Sequence, residues 1–431
     1  IHSFIHSFIH SFNMHYLNES HILLFLVQVL IILGCARTLS VICESFKIPA
    51  IAGDILAGIL LGPTLFGRVF PALQGGLFPA DPTQSIMLET VSWLGVFFLL
   101  LSSGFHVDVG RALRSGRAAL LIGIIGVVLP IAIGFPVFST FDTVYWGEKA
   151  NAFSFALFLS VAGSITAISV VARSLEDLEI IKTPQASLAL SACAINDIFG
   201  WFLFTIVMSL VGSHAMGAVE LTTNALSVIG FVVLSLVLGP KILNVALKWV
   251  KTTPLTQPAA TQSLIISVGL LCGAITQWLG IHAILGFFLA GAIAKSTDGV
   301  SDNLRSSVSD TLHAIFVPLF FATLGLKIDF LVGMELMPTL IFCAIAIVGK
   351  FVGAWIGARL GKESPKASVL MGYIFIPGGA MEIVVATLAL ELQLIGQTIF
   401  VAIVFAALAS SILAGPLIGF QIRRMGIDRV V

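Results

Sequence analysis

The chain has 431 residues, of which 58% are hydrophobic and only 10% charged, with a mean hydropathy of +1.07. Soluble domains carry about 25% charged residues, so the composition excludes an ordinary soluble fold and points to an all-α polytopic membrane protein. The 22 basic and 22 acidic residues cancel, which leaves no footprint for a nucleic-acid partner.

In chain order, the first twelve residues, IHSFIHSFIHSF, repeat every four positions and would set His2, His6 and His10 on one face of a helix. Histidines so spaced can hold a metal, but a translated simple repeat explains them, and residues 1–19 are set aside as a low-complexity segment. No basic region or small-residue cleavage site accompanies the apolar run from Ile22, so it reads as a retained span and not a signal peptide. Apolar runs of about 18–25 residues, broken by Pro, Gly and charge, then give about thirteen transmembrane helices. Their approximate limits are 21–44, 48–66, 86–105, 117–138, 152–173, 185–210, 221–247, 261–279, 281–296, 312–331, 336–360, 366–391 and 396–421. One membrane domain over residues 20–421 and a short tail, 422–431, with no attached soluble domain, is the expected organisation.

Basic residues gather in the loops that follow odd-numbered spans and in the C-terminal tail, as in Arg111, Arg114 and Arg117, Lys241, Lys248 and Lys251, Arg359, Lys362 and Lys366, and Arg423, Arg424 and Arg429. Loops after even-numbered spans hold only Arg68, Lys149 and Lys327. Short cytoplasmic loops collect Lys and Arg, which places the N-terminus outside and the C-terminus in the cytoplasm. Cys35, Cys43, Cys193, Cys272 and Cys343 lie in apolar runs without CxxC spacing and read as small buried hydrophobes.

Asn196 and Asp197 sit near the middle of the apolar run from Ala186 to Val211. A carboxylate at that depth costs about 2.5–3.5 kcal/mol even on translocon scales, so it should meet an ion, a proton path or a partner charge. The fifth span is interrupted by Gly163, Ser164, Ile165 and Thr166, and the twelfth by Pro377, Gly378 and Gly379. Such breaks free backbone carbonyls and are tolerated only in a cavity or inside protein. Two of them, one in each half, suggest inverted repeats with interrupted helices crossing near the bilayer midplane and a site between them. Lys350, inside the eleventh span, needs a counter-charge, with Asp197 and Glu382 available. Asp54 can hydrogen-bond a neighbouring helix, whereas His106, His282 and His313 at loop edges read as solvated or hydrogen-bonded. No Ser/His/Asp set, Walker loop or GxGxxG after a strand occurs, so neither catalysis nor a cofactor is expected.

The stretch Gly163 to Leu175 with Ala194 to Asp197 resembles the core of monovalent cation/proton antiporters, above all the branch of plant cation/H+ exchangers and bacterial Kef-type potassium efflux systems. HAILGFFLAG from His282, FVPLFFATLGLKID from Phe316, GKFVG from Gly349 and Pro377 to Glu382 extend the resemblance over almost the whole membrane domain. It implies a thirteen-helix fold, a homodimer with a dimerisation part and a moving core, and room for a separate regulatory subunit. It also implies that Asp197 binds the monovalent cation, Na+ or K+, and the proton in turn, with Asn196, Thr166 and Ser164 completing the site. Lys350 is then the charge opposite the acid, with Glu382 as its other neighbour. The chain departs from the pattern in having Asn196 where many members carry a second acid, and Gly378 where some carry arginine. The first change leans toward electroneutral, one-for-one exchange. A gated K+ efflux channel and a sodium-coupled organic anion symporter are the alternative readings of the same buried charge.

Overall fold

The computed structural model describes residues 17–46, 48–108, 110, 114–212, 218–252, 259–280 and 282–426. The N-terminal histidine repeat, Lys47, Arg111 and Arg429 lie outside the described residues. Among those described the chain is helical throughout, apart from one isolated antiparallel bridge between Trp146 and Ile395. The helices are α1 (Glu19–Ser45), α2 (Ala50–Leu61), α3 (Phe66–Val69), α4 (Pro71–Leu77), α5 (Pro82–Gly104), α6 (Gly116–Phe138), α7 (Ala152–Ala162), α8 (Ile168–Asp177) and α9 (Pro184–Gly212). They continue with α10 (Ala218–Thr252), α11 (Ala259–Trp278), α12 (Ala283–Lys295), α13 (Asp302–Lys327), α14 (Leu336–Leu360), α15 (Pro365–Ile374), α16 (Gly379–Glu391) and α17 (Gln397–Met425).

Several helices begin where the sequence supplies a cap, because the first backbone N–H groups of a helix have no partner within it. Asp81 accepts from the Gln84 N–H ahead of α5, with Pro82 at the first helical position, where its missing N–H costs nothing. Asn151 and Ser154 cap each other reciprocally at the start of α7. Ser301 and Ser364 do the same service for α13 and α15.

Ten of the described helices are long and apolar enough to cross a bilayer, or eleven if the bent pair α15 and α16 is one span. The thirteen expected exceed this number because the fifth predicted span is split into α7 and α8, and the ninth falls on α12, which has only 13 residues.

The helices pack as two bundles. In the first, α1, α2, α5, α10, α11, α12 and α13 lie together; in the second, α6, α7, α8, α9, α14, α15, α16 and α17 do. Small residues set the spacing. Gly58 of α2 packs so closely on α13 that a Cβ there would fall 2.0 Å from the Ala322 carbonyl oxygen. Gly104 of α5 meets Gly291 of α12 in the same manner, and Gly353 and Gly357 of α14 lie on the backbone of α6. Backbones this close gain dispersion contacts that lipid cannot displace. The bundles touch where α9 packs on α10, at the Trp201 and Phe288 rings, 5.9 Å apart, and through an exposed ion pair of 2.6 Å between Arg173 of α8 and Glu44 of α1.

Candidate functional site

The two helix breaks face each other in the second bundle. Helix α7 ends at Ala162 and α8 resumes at Ile168, while α15 ends at Ile374 and bends by 46° into α16 at Gly379. The Ala167 N–H donates to the Pro377 carbonyl at 3.0 Å, and the Thr166 hydroxyl donates to the Phe375 carbonyl at 3.0 Å. Each break thus satisfies polar backbone groups of the other, as buried irregular backbone requires. Gly379 has φ +55°, a left-handed conformation that a residue with a Cβ adopts only under strain. Its Cα also lies against Ala167 and Val170.

Helix α9 brings the Asn196 side chain to this junction, with Asp197 next to it in the chain. The Asn196 side-chain carbonyl accepts from the Thr166 N–H at 3.1 Å, so it pins the first break; its amide nitrogen has no partner among the described residues. One turn further, Gly200 lies against the Ile165 side chain, keeping α9 close to the break. Asp197 is 0% exposed, and neither carboxylate oxygen has a hydrogen-bond donor or an ion-pair partner among the described residues. An unpaired buried anion is very costly, so this carboxyl group calls for a proton or a cation.

The other sequence-predicted residues converge on the same region. Ser164 is fully buried and donates to the Val161 carbonyl at 2.7 Å, which leaves its oxygen lone pairs uncommitted as acceptors. Gly163 caps the end of α7. Gly378 precedes α16 and donates its N–H to the Ser410 hydroxyl at 3.2 Å. Lys350 and Glu382 are both 0% exposed and form an ion pair of 3.9 Å, while the Lys350 ammonium donates to the Ile165 carbonyl at 3.3 Å. Of its two available counter-charges, Lys350 therefore stands against Glu382. Both Glu382 oxygens lack a hydrogen bond among the described residues.

Sequence reasoning missed Ser410 and the carbonyls of Ile165, Phe375 and Pro377. Adjacent hydroxyls at Ser410 and Ser411 in an apolar run were the one available signal for the first. Elsewhere the structure places Asp54 on the Ser40 hydroxyl at 2.8 Å, and Arg37 on the His313 carbonyl. His282 caps α12, and His106 and His313 bond to backbone carbonyls one turn back, so these histidines serve local structure.

Two crevices run between the bundles on either side of α16. The larger, about 60 Å³, is walled by Trp93 of α5, Thr323 and Lys327 of α13, and Val384, Thr387 and Glu391 of α16. That is room for several waters, each needing about 10–15 Å³. The smaller, about 10 Å³, runs from Pro49 and Ala52 past Val170 to Gly379 and Ile383. Gln84 at the start of α5 donates to the His21 carbonyl at the start of α1, while Pro49 follows the far end of α1. The crevices therefore open at opposite ends of the bundle. At the wider mouth Lys327 and Glu89 pair at 3.7 Å.

Residues 28–423 match the family model for the transmembrane part of sodium/hydrogen exchangers. The chain is 30% identical over 411 residues to the Na(+)/H(+) antiporter NhaS4 of Synechocystis sp., covering 93% of this chain and 98% of that protein. It is 30% identical over 421 residues to the K(+)/H(+) antiporter 1 of Saccharomyces cerevisiae, and 29% identical over 401 residues to the Cation/H(+) antiporter 18 of Arabidopsis thaliana. These alignments cover 94% and 92% of this chain but 47% and 48% of those proteins, so the chain spans about half the length of its plant and yeast relatives. Among solved structures, the sodium proton antiporter MjNhaP1 of Methanocaldococcus jannaschii superposes with a TM-score of 0.71 at 16% identity, covering 95% of this chain and all of that one. At that identity the likeness speaks for the fold.

Proposed function

Because the chain belongs to the sodium/hydrogen exchanger family, we propose that it exchanges a monovalent cation, Na+ or K+, for a proton across the bilayer by alternating access at Asp197. The observation that carries this reading is the Asp197 carboxylate, fully buried next to Asn196, which pins the first helix break, and without a hydrogen-bond or ion-pair partner among the described residues. A proton neutralises it covalently. A cation does so by coordination, completed by the Ser164 and Thr166 oxygens, the Asn196 carbonyl and freed backbone carbonyls. One carboxylate cannot hold both guests at once, so their binding competes.

Coupling follows if the second bundle moves readily only with its buried charge cancelled, since carrying a net charge through low dielectric is costly. The two crevices along α16 are consistent with access from opposite ends, the smaller one reaching Gly379 at the second break. Asn196 cannot titrate, which favours one proton per cation and electroneutral exchange. The N-terminus lies outside, the C-terminal tail in the cytoplasm, and the protein works as a homodimer.

The test is cation-dependent proton flux in proteoliposomes, read by dequenching of a pH-sensitive dye with Na+, K+ and Li+ offered in turn. Wild-type protein should respond to at least one of them, and Asp197→Asn or Asp197→Cys should insert normally and give none. Undiminished exchange in either variant would remove Asp197 from the mechanism.

A further inference from the structure

Lys350 and Glu382 add two buried charges to a site where exchange calls for one, and their placement is specific. The Lys350 ammonium lies 3.9 Å from the Glu382 carboxylate, with the Ile165 carbonyl at 3.3 Å as its hydrogen-bond acceptor. The backbone leaves room for that carboxylate at Gly378. A Cβ there would fall 1.6 Å from Glu382 Oε2 and 3.1 Å from Lys350 Nζ. Gly378 has an ordinary φ of −88°, so the glycine serves space and not backbone conformation. Its N–H is bonded to Ser410, so it does not compete with Lys350 for the carboxylate.

Charge accounting follows directly. Lys350 and Glu382 sum to zero, and Asp197 is left without a counter-charge among the described residues. Without Glu382, Lys350 would cancel Asp197 instead. An empty site would then be neutral, and a site holding one proton or one cation would be positive.

We propose that Glu382 is a positioning residue that sets the coupling of transport: by cancelling Lys350, it makes the empty site anionic and immobile and the singly loaded site neutral and mobile. This rests on the exchange reading above and adds to it the reason that the empty carrier does not return. Lys350 is in consequence a fixed counter-charge and carries no proton across.

The experiment compares the full chain in proteoliposomes as wild type, Glu382→Gln, Glu382→Asp and the double variant Lys350→Met with Glu382→Gln. Proton flux and tracer cation flux are recorded together at imposed membrane potentials. Wild type and Glu382→Asp should move one proton per cation, independent of voltage. Glu382→Gln should lose coupled exchange by about tenfold, since its loaded carrier is charged, and gain a cation flux without protons that voltage accelerates. A salt bridge of merely structural value would not produce that leak. The double variant restores a neutral pair position, so it should recover the ratio of one proton per cation and the indifference to voltage, at whatever rate it runs. Coupled, voltage-insensitive exchange in Glu382→Gln would overturn the proposal. So would a double variant that melts like wild type but is inert or voltage-driven, because Lys350 would then be a carrier itself. If Glu382→Gln does not assemble, the double variant decides alone. Failure of the exchange reading looks different: the wild type would show no cation-dependent proton flux.

Discussion

Replacing Gly378 with alanine probes the buried pair through space alone. The added Cβ would lie 1.6 Å from Glu382 Oε2 and 2.5 Å from its carboxyl carbon. To reach the 3.0 Å that real Cβ atoms respect, the carboxylate must recede by about 1.4 Å, a shift typical of overpacked sites. If it recedes from Lys350, the pair opens from 3.9 Å to about 5.3 Å, which at an effective dielectric of about 20 costs about 1 kcal/mol. Forced repacking of a filled interior adds about 1–3 kcal/mol. The total of about 2–4 kcal/mol should lower the melting temperature in detergent and weaken coupled exchange in proteoliposomes. Gly415→Ala in α17 is the control, because nothing lies within 4 Å of a Cβ there. A Gly378→Ala protein that melts and exchanges like wild type would refute the placement of Glu382 over this glycine.

Gly379→Ala adds conformational strain to contact: its φ of +55° costs about 1–2 kcal/mol for a residue with a Cβ, and the methyl would fall 2.8 Å from Ala167 and Val170. It should be destabilising by thermal unfolding and slow the exchange, whereas an unchanged melting temperature would argue against the left-handed turn. Just beyond the end of α13, the Arg68 guanidinium 2.8 Å from Asp329 holds that carboxyl below the usual carboxylate range. A depressed folded value means the stabilisation is present above about pH 4 and fades as pH falls through the folded value. The melting-temperature difference between wild type and Asp329→Asn should therefore shrink between pH 6 and pH 3, estimated as about the span of carboxylate titration; a constant difference would exclude the pairing.

The sequence made the helical class, the two breaks and the buried acid legible because each violates or satisfies a strong rule of the bilayer. Pro377, Gly378 and Gly379 cannot continue a helix, and Asp197 cannot rest in lipid. Which groups the breaks would find was not legible. The Thr166 hydroxyl meets the Phe375 carbonyl across 209 positions of sequence, and no local pattern encodes that pairing. Lys350 had two acids within plausible reach, and only the folded packing of α14 on α15 and α17 aims it at Glu382. Span lengths were legible only in part: α12 lies where the sequence reads as an apolar span, and its helix is 13 residues long.

Competition at Asp197 is tested most directly by counting protons released when a cation binds. Purified protein in weakly buffered detergent solution, titrated with Na+ or K+ at a pH where the carboxyl group is protonated, should release about one proton per chain as the cation replaces it, in line with metal binding at a deprotonated ligand. Asp197→Asn should release none. Cation binding without proton release, or release that survives in Asp197→Asn, would contradict exchange at this carboxylate.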